Sequence, residues 1–131
     1  MRKIEFRAWL KKDKKMVEVK SIHFGTKNIV YSVKENSDRW GFITSKFDDC
    51  KLMQFTGLTD KNGKQIFEGD ILRLCDATYP CEIYWSGIGW AFKRNDKRVD
   101  YNYGSSLVID CEKMQVIGNI YDNPELLGGA E

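Results

Sequence analysis

Apolar residues along this chain recur mostly at every second position, in short runs broken by polar turns. Ile4-Glu5-Phe6-Arg7-Ala8-Trp9-Leu10 sets the pattern, with Ile4, Phe6, Ala8 and Leu10 on one face and Glu5, Arg7 and Trp9 on the other. That is the period of a half-buried strand. Lys11-Lys12-Asp13-Lys14-Lys15 reads as a charged turn, and Met16-Val17-Glu18-Val19 as the returning strand. Ser21–Phe24 and Asn28–Val33 are expected as further strands around Gly25-Thr26-Lys27. A polar loop at Lys34–Arg39 and an apolar stretch at Trp40-Gly41-Phe42-Ile43 follow, either an insertion or the rest of a small N-terminal lobe. Asp48-Asp49 then interrupts the pattern, so a boundary is expected near Asp48–Lys51, between an N-terminal β lobe (1–50) and a second lobe (51–131).

The stretch from Leu52 to Leu72 has the grammar of a hairpin. Met53-Gln54-Phe55-Thr56 alternates, and Asp60-Lys61-Asn62-Gly63 is a turn signal. Asp bonds its own backbone two residues on, while Asn and Gly accept positive φ. Ile66-Phe67 returns, and Glu68-Gly69-Asp70 makes a corner, where a Gly avoids a side-chain clash. Further strands are expected at Ile71–Leu74, Glu82–Trp85, Trp90–Lys93, Leu107–Ile109 and Val116–Ile120, with a loop at Asp76–Pro80 and a glycine-punctuated hairpin at Ser86–Gly89. One short helical turn is expected at the end, with Asn123 as cap, Pro124 in the first position, Glu125 favoured by the helix dipole, and Gly128-Gly129 as the stop. The whole predicts a mainly β fold, a small barrel or sandwich, and the strand series after the Gly-Asp corner is similar to an SH3-like barrel.

Three blocks of residues carry a resemblance. The first is Phe6-Arg7-Ala8-Trp9 with Met16. The second is Met53, Gln54, Phe55, Thr56, Gly57, Leu58, Asp60, Lys61, Asn62, Gly63, Ile66, Phe67, Glu68, Gly69, Asp70 and Ile71. The third is Val116-Ile117-Gly118-Asn119-Ile120-Tyr121 followed by Asn123-Pro124-Glu125-Leu126-Leu127. In this order they resemble the YopX-like proteins of bacteriophages and prophages over nearly the whole chain, with Lys20–Cys50 lying outside the matched blocks. The resemblance implies one mostly β, phage- or prophage-derived domain over 1–131. It brings no catalytic residues with it.

Composition narrows the function classes. At 131 residues, 42% hydrophobic and 13% aromatic, the chain can bury a core, so disorder is not expected. No apolar run is long enough to span a bilayer, and Met1-Arg2-Lys3-Ile4-Glu5 lacks the apolar stretch of a signal peptide, so a cytoplasmic protein is expected. Cys50, Cys75, Cys81 and Cys111 are scattered, with no C-x-x-C pair and His23 as the one imidazole. Thiols are therefore expected rather than zinc or disulfides, although whether Cys75 and Cys81 meet stays open. A calcium loop built on Gly63 would put Leu58 and Gly69 where carboxylates belong, which excludes it. No cofactor and no metal are expected.

Glu68 and Asp70 share a spacing that would point both to one strand face, but turn chemistry accounts for them as N–H caps. A metal-dependent hydrolase or nuclease using Glu68, Asp70 and Asp60 is the least favoured reading. Basic residues cluster near the start, with Arg7, Lys11 and Lys12 beside Trp9, and again with Lys93 and Arg94 beside Trp85 and Trp90. These residues are the candidates for nucleic-acid or partner binding, cations for phosphates and indoles for stacking, although the net charge is only +2 and charge runs in loops need no partner. The favoured reading is a non-catalytic accessory protein that binds a host or phage protein and forms a homo-oligomer. Nucleic-acid binding is the alternative.

Overall fold

The computed structural model describes residues 3–73, 79–94, 97–99 and 111–127. The fold is mainly β, with antiparallel sheets and a short 3-10 turn at the C-terminal end. The expected strand at Leu107–Ile109, the glycines after Leu127 and Cys75 lie outside the described residues. Two compact units are present, one of Ile4–Gln54 and one of Phe55–Glu131 with Met1–Lys3. The chain passes between them inside a strand, beyond the Asp48–Lys51 interruption.

The N-terminal unit contains β1 (Phe6–Leu10), β2 (Lys15–His23), β3 (Asn28–Asn36), β4 (Arg39–Lys46), a 3-10 turn (Phe47–Asp49) and the start of β5 (Cys50–Thr59). Strand order is β4-β3-β2-β1-β5, all antiparallel. Alternation along β1 puts Ala8 and Leu10 inward, and they join Ile29, Tyr31 and Cys50 in the core of this unit. Lys14, at φ 52, closes the charged turn, its N–H bonding Leu10 O at 2.8 Å.

Two expectations are corrected here. Met16–Val19 and Ser21–Phe24 are not separate strands: Met16 to His23 belong to the one strand β2, in which a register shift between Val19 and Ser21 breaks the alternation, and Phe24 starts the turn. The polar stretch at Lys34–Arg39 is not a loop either. β3 continues to Asn36 and β4 begins at Arg39, leaving a tight turn. Exposure on both faces removes the apolar alternation that would mark a strand, while backbone pairing, Asp38 N–H on Asn36 Oδ1 at 3.0 Å and an Arg39–Glu35 ion pair at 3.3 Å hold it.

The C-terminal unit contains the rest of β5, β6 (Gln65–Phe67), β7 (Asp70–Arg73), β8 (Cys81–Trp85), β9 (Trp90–Arg94), β10 (Lys97–Val99) and β11 (Gln115–Asn119). Its sheet order is β10-β9-β8-β7-β11, so the last strand returns to pair with β7. Ile66, Leu72, Cys81, Ile83, Phe92, Cys111, Met114 and Val116 form its core, with Trp90 packed against it.

The end of the chain departs from expectation in one detail. Pro124–Leu127 is a 3-10 turn, and Leu126 N–H bonds Asn123 O at 3.1 Å. The Asn123 side chain does not cap it. Its Oδ1 turns back to Asn119 N–H at 3.3 Å and fills the space beside Gly118, where a Cβ would lie 2.5 Å from it.

Candidate interaction surface

The signature stretch, which reads as polar turn chemistry, is largely internal to its unit. Asp60 and Asp70 are buried. Asp60 Oδ1 accepts the N–H groups of Asn62 and Lys64, both at 2.9 Å, and Oδ2 accepts Val116 N–H at 3.0 Å. Burial pushes this carboxyl up, but the N–H groups of Val116, Lys64 and Asn62, with the Lys64 charge, outweigh it and hold the group below its ordinary value. The same turn donates Lys61 N–H to Met114 O at 2.9 Å. One carboxylate therefore ties the hairpin to a strand far along the chain.

Neighbouring signature residues are arranged in the same way. Thr56 Oγ1 donates to Ile66 O at 2.7 Å and accepts Leu58 N–H at 3.1 Å, across a register irregularity where Gly57 has φ 84. Phe55 packs on Phe67 at 5.5 Å, and Met53 is buried. Gly69, at φ 88, donates to Ile83 O at 3.0 Å and accepts Ile120 N–H at 2.9 Å. Asp70 Oδ2 accepts Phe67 N–H at 2.8 Å. The one-face placement of Glu68 and Asp70 does not hold: Glu68 is half-buried in the turn before Gly69, and Asp70 is enclosed at the start of β7. The positive φ of Gly69 breaks the strand period between them. Asn119 Oδ1 accepts the N–H groups of Tyr121 at 3.0 Å and Asp122 at 2.8 Å.

The cation and indole candidates fall into two separate groups. On the β8–β9 hairpin, Trp85 and Trp90 face each other edge-on at 5.1 Å. Lys93 lies 4.7 Å over the Tyr84 ring. Arg94 covers Tyr79 at 4.8 Å and donates to Pro80 O at 2.8 Å. In the N-terminal unit Lys11 Nζ donates to Asp48 O at 2.7 Å, Lys12 is exposed, and Arg7 and Trp9 are half-buried. A cavity of about 370 Å³ opens beside that turn, lined by Leu10, Lys12, Asp13, Tyr31, Ser45 and Asp49 among others. Burial and the Asp13 charge push the Tyr31 hydroxyl up. Burial also raises the neighbouring Cys50 thiol, against a Ser45 hydrogen bond and the Lys11 charge, so it remains a thiol rather than a nucleophile. Among the described residues no group of three or more His, Cys, Asp or Glu is placed to hold a metal ion.

The feature that the sequence reading missed is β4. It pairs with β3 on one side, and among the described residues its other side has no strand neighbour. Pairing opposite Lys34 and Ser32 puts Trp40 and Phe42 on the face away from the core, where they are 59% and 72% exposed. Ile43, on the core face but at the rim, is 42% exposed. The pattern Trp-Gly-Phe-Ile marks an apolar stretch, but the strand order that leaves it at an edge is not a local property.

Comparison with known proteins agrees with this architecture. A family model described as YopX protein matches residues 5–128. The chain is similar to the crystal structure of protein EF1440 from Enterococcus faecalis, with 27% identity, TM-score 0.68, and 97% of this chain and 99% of that chain covered. No curated protein matches. Among the described residues no helix is long and apolar enough to cross a membrane.

Proposed function

The chain belongs to the YopX family, and we propose that it is a non-catalytic interaction module of phage or prophage origin, acting in the bacterial cytoplasm, that binds protein through strand β4 and assembles with copies of itself. The observation that carries this reading is the outward placement of Trp40 and Phe42 on an edge strand. Each large apolar side chain left in water forgoes roughly 1.5–3 kcal/mol of burial. Edge strands are ordinarily protected by inward charges, proline or bulges. Between Arg39 and Lys46 this strand has the sequence Trp-Gly-Phe-Ile-Thr-Ser, with no charge and no proline. An aromatic strand with open backbone groups is suited to strand addition.

The signature residues have a different part in this reading. Asp60, Thr56, Gly69 and Asp70 are occupied by backbone groups of their own unit, so they brace the fold rather than act on a substrate. Hydrolysis through Asp60 and Asp70 would require breaking those bonds. For nucleic-acid binding, Lys11 and Arg94 each already spend one donor on a backbone carbonyl, which ties part of their charge to their own unit.

A tagged pull-down from a bacterial lysate, with and without nuclease, compares the natural chain with a Trp40→Ser/Phe42→Ser variant. Protein capture that survives nuclease and is lost in the variant is the expected result. Co-purifying nucleic acid, with protein lost on digestion and no effect of the variant, would overturn it in favour of the basic clusters.

A further inference from the structure

We infer that the occupant of the open β4 edge is a second copy of this chain, paired antiparallel about a twofold axis through Phe42. The inference rests on the reading above that β4 is the contact strand. It goes further in fixing the partner and the register.

The two faces of β4 are set by β3. Trp40, Phe42 and Thr44 lie opposite Lys34, Ser32 and Val30, on the outer face. Gly41, Ile43 and Ser45 lie opposite Val33, Tyr31 and Ile29, on the core face. A twofold axis perpendicular to the sheet keeps each face on its own side, so only registers that pair outer residues with outer residues continue the sheet. Within the apolar stretch that leaves three centres: Gly41, Phe42 and Ile43.

Charge and volume separate them. Centring on Gly41 pairs Trp40 with Phe42 twice, but it sets glycine against glycine at the axis, buries Ile43 against Arg39 and leaves Asp38 and Lys46 opposite Thr44 and Asn36, without a charge partner. Centring on Ile43 sets Lys46 against Trp40 and Arg39 against Phe47. Centring on Phe42 stacks the two Phe42 rings, sets each Trp40 beside Thr44, puts Ile43 opposite Gly41, over which the Glu35 carboxylate lies, and places Asp38 opposite Lys46 twice. Aromatic and opposite-charge cross-strand pairs are the favourable ones. Asp38 and Lys46 are both exposed, and the Asp38 backbone is fixed by Asn36. Arg39 is engaged by Glu35 and sits opposite Ser45 in this register, so no like charges meet. A self-complementary patch of this kind closes as a dimer and uses up the β4 edge, so that edge supports no further addition. One strand pair is a small interface, so the dimer dissociates on dilution in roughly the micromolar range.

The test is light scattering across about 5–500 µM, joined to a single-cysteine scan. Phe42→Cys, Gly41→Cys and Ile43→Cys chains are oxidised, resolved on non-reducing gels against the natural chain and checked for folding by circular dichroism. A concentration-dependent dimer, with cross-linking strongest for Phe42→Cys, is expected. Lys46→Asp should lower the dimer fraction several-fold, and Lys46→Asp with Asp38→Lys should restore it. Cross-linking strongest at Gly41→Cys or Ile43→Cys, or failure of the charge reversal to rescue, would overturn the register. A monomer at every concentration would overturn self-association. If that monomer still captured protein through Trp40 and Phe42, the interaction-module reading would stand while this inference fell. If the β4 variants changed neither, both would fall.

Discussion

The signature hairpin of the C-terminal unit and strand β4 of the N-terminal unit invert the usual order of protein surfaces in opposite ways. Around residues 53–71, acids and a threonine lie inside: Asp60, Asp70 and Thr56 are buried, each with its oxygens on hydrogen-bonding groups. Along β4, aromatic side chains lie outside. A buried carboxylate persists only where its partners outweigh desolvation, so the hairpin residues are committed to the fold. An exposed aromatic gives the isolated fold almost nothing, so the β4 residues are available for something else. The part of the chain rich in acids and turn residues looks chemical, yet its described bonds run to backbone groups of its own unit. The part that looks like ordinary core is the better candidate for function.

The largest effect that would sharpen this contrast is at Asp60. Asp60→Ala leaves three backbone N–H groups without their acceptor, and a loss of about 3 kcal/mol or more is expected in urea unfolding. A loss below about 1 kcal/mol would break the brace argument. Asp70→Ala should cost about 2 kcal/mol, because Phe67 N–H loses its buried acceptor. Gly69→Ala should cost about 1–2 kcal/mol, since φ 88 crowds any Cβ.

The acid limb offers a subtler check. The Asp60 carboxyl is held below its ordinary value of 3.8, so its contribution is fully present above that value and is lost as pH falls through the lower folded-state value. Stability curves of the natural chain and Asp60→Asn should therefore converge in strong acid, separate as pH rises toward about 4 and keep a constant offset above it. An offset that does not change from strong acid upward would contradict the assignment. The smallest stability effect is expected at Trp40→Ser and Phe42→Ser, within about 0.5 kcal/mol of the natural chain, because neither belongs to the core of its unit.

What was legible in the sequence was local. The Asp60–Gly63 turn is legible because Asx bonding acts over two residues, and the observed Asn62 N–H to Asp60 bond is that interaction. The β8–β9 hairpin and the alternation of β1 are legible for the same reason. The Asp60 bond to Val116 was not, since it spans 56 positions and depends on how β11 returns to β7. Nor was the hairpin end at Lys34–Arg39, where strands exposed on both faces show no alternation. Trp40 and Phe42 were legible as an apolar stretch, not as a strand. Their exposure follows from β4 coming last in the sheet order, a tertiary fact. Lys93 and Arg94 read as a basic cluster, while the fold lays them over Tyr84 and Tyr79.

The most direct test is light scattering of Phe42→Ser beside the natural chain, with the melting temperature of each measured on the same samples. The predicted result is a natural chain that associates as concentration rises and a variant whose association is shifted to several-fold higher concentration, with melting temperatures of equal-concentration dilute samples agreeing to about 2 °C. A variant that melts much lower would place Phe42 among the fold's supports. A variant that associates as well as the natural chain would remove β4 as the contact strand.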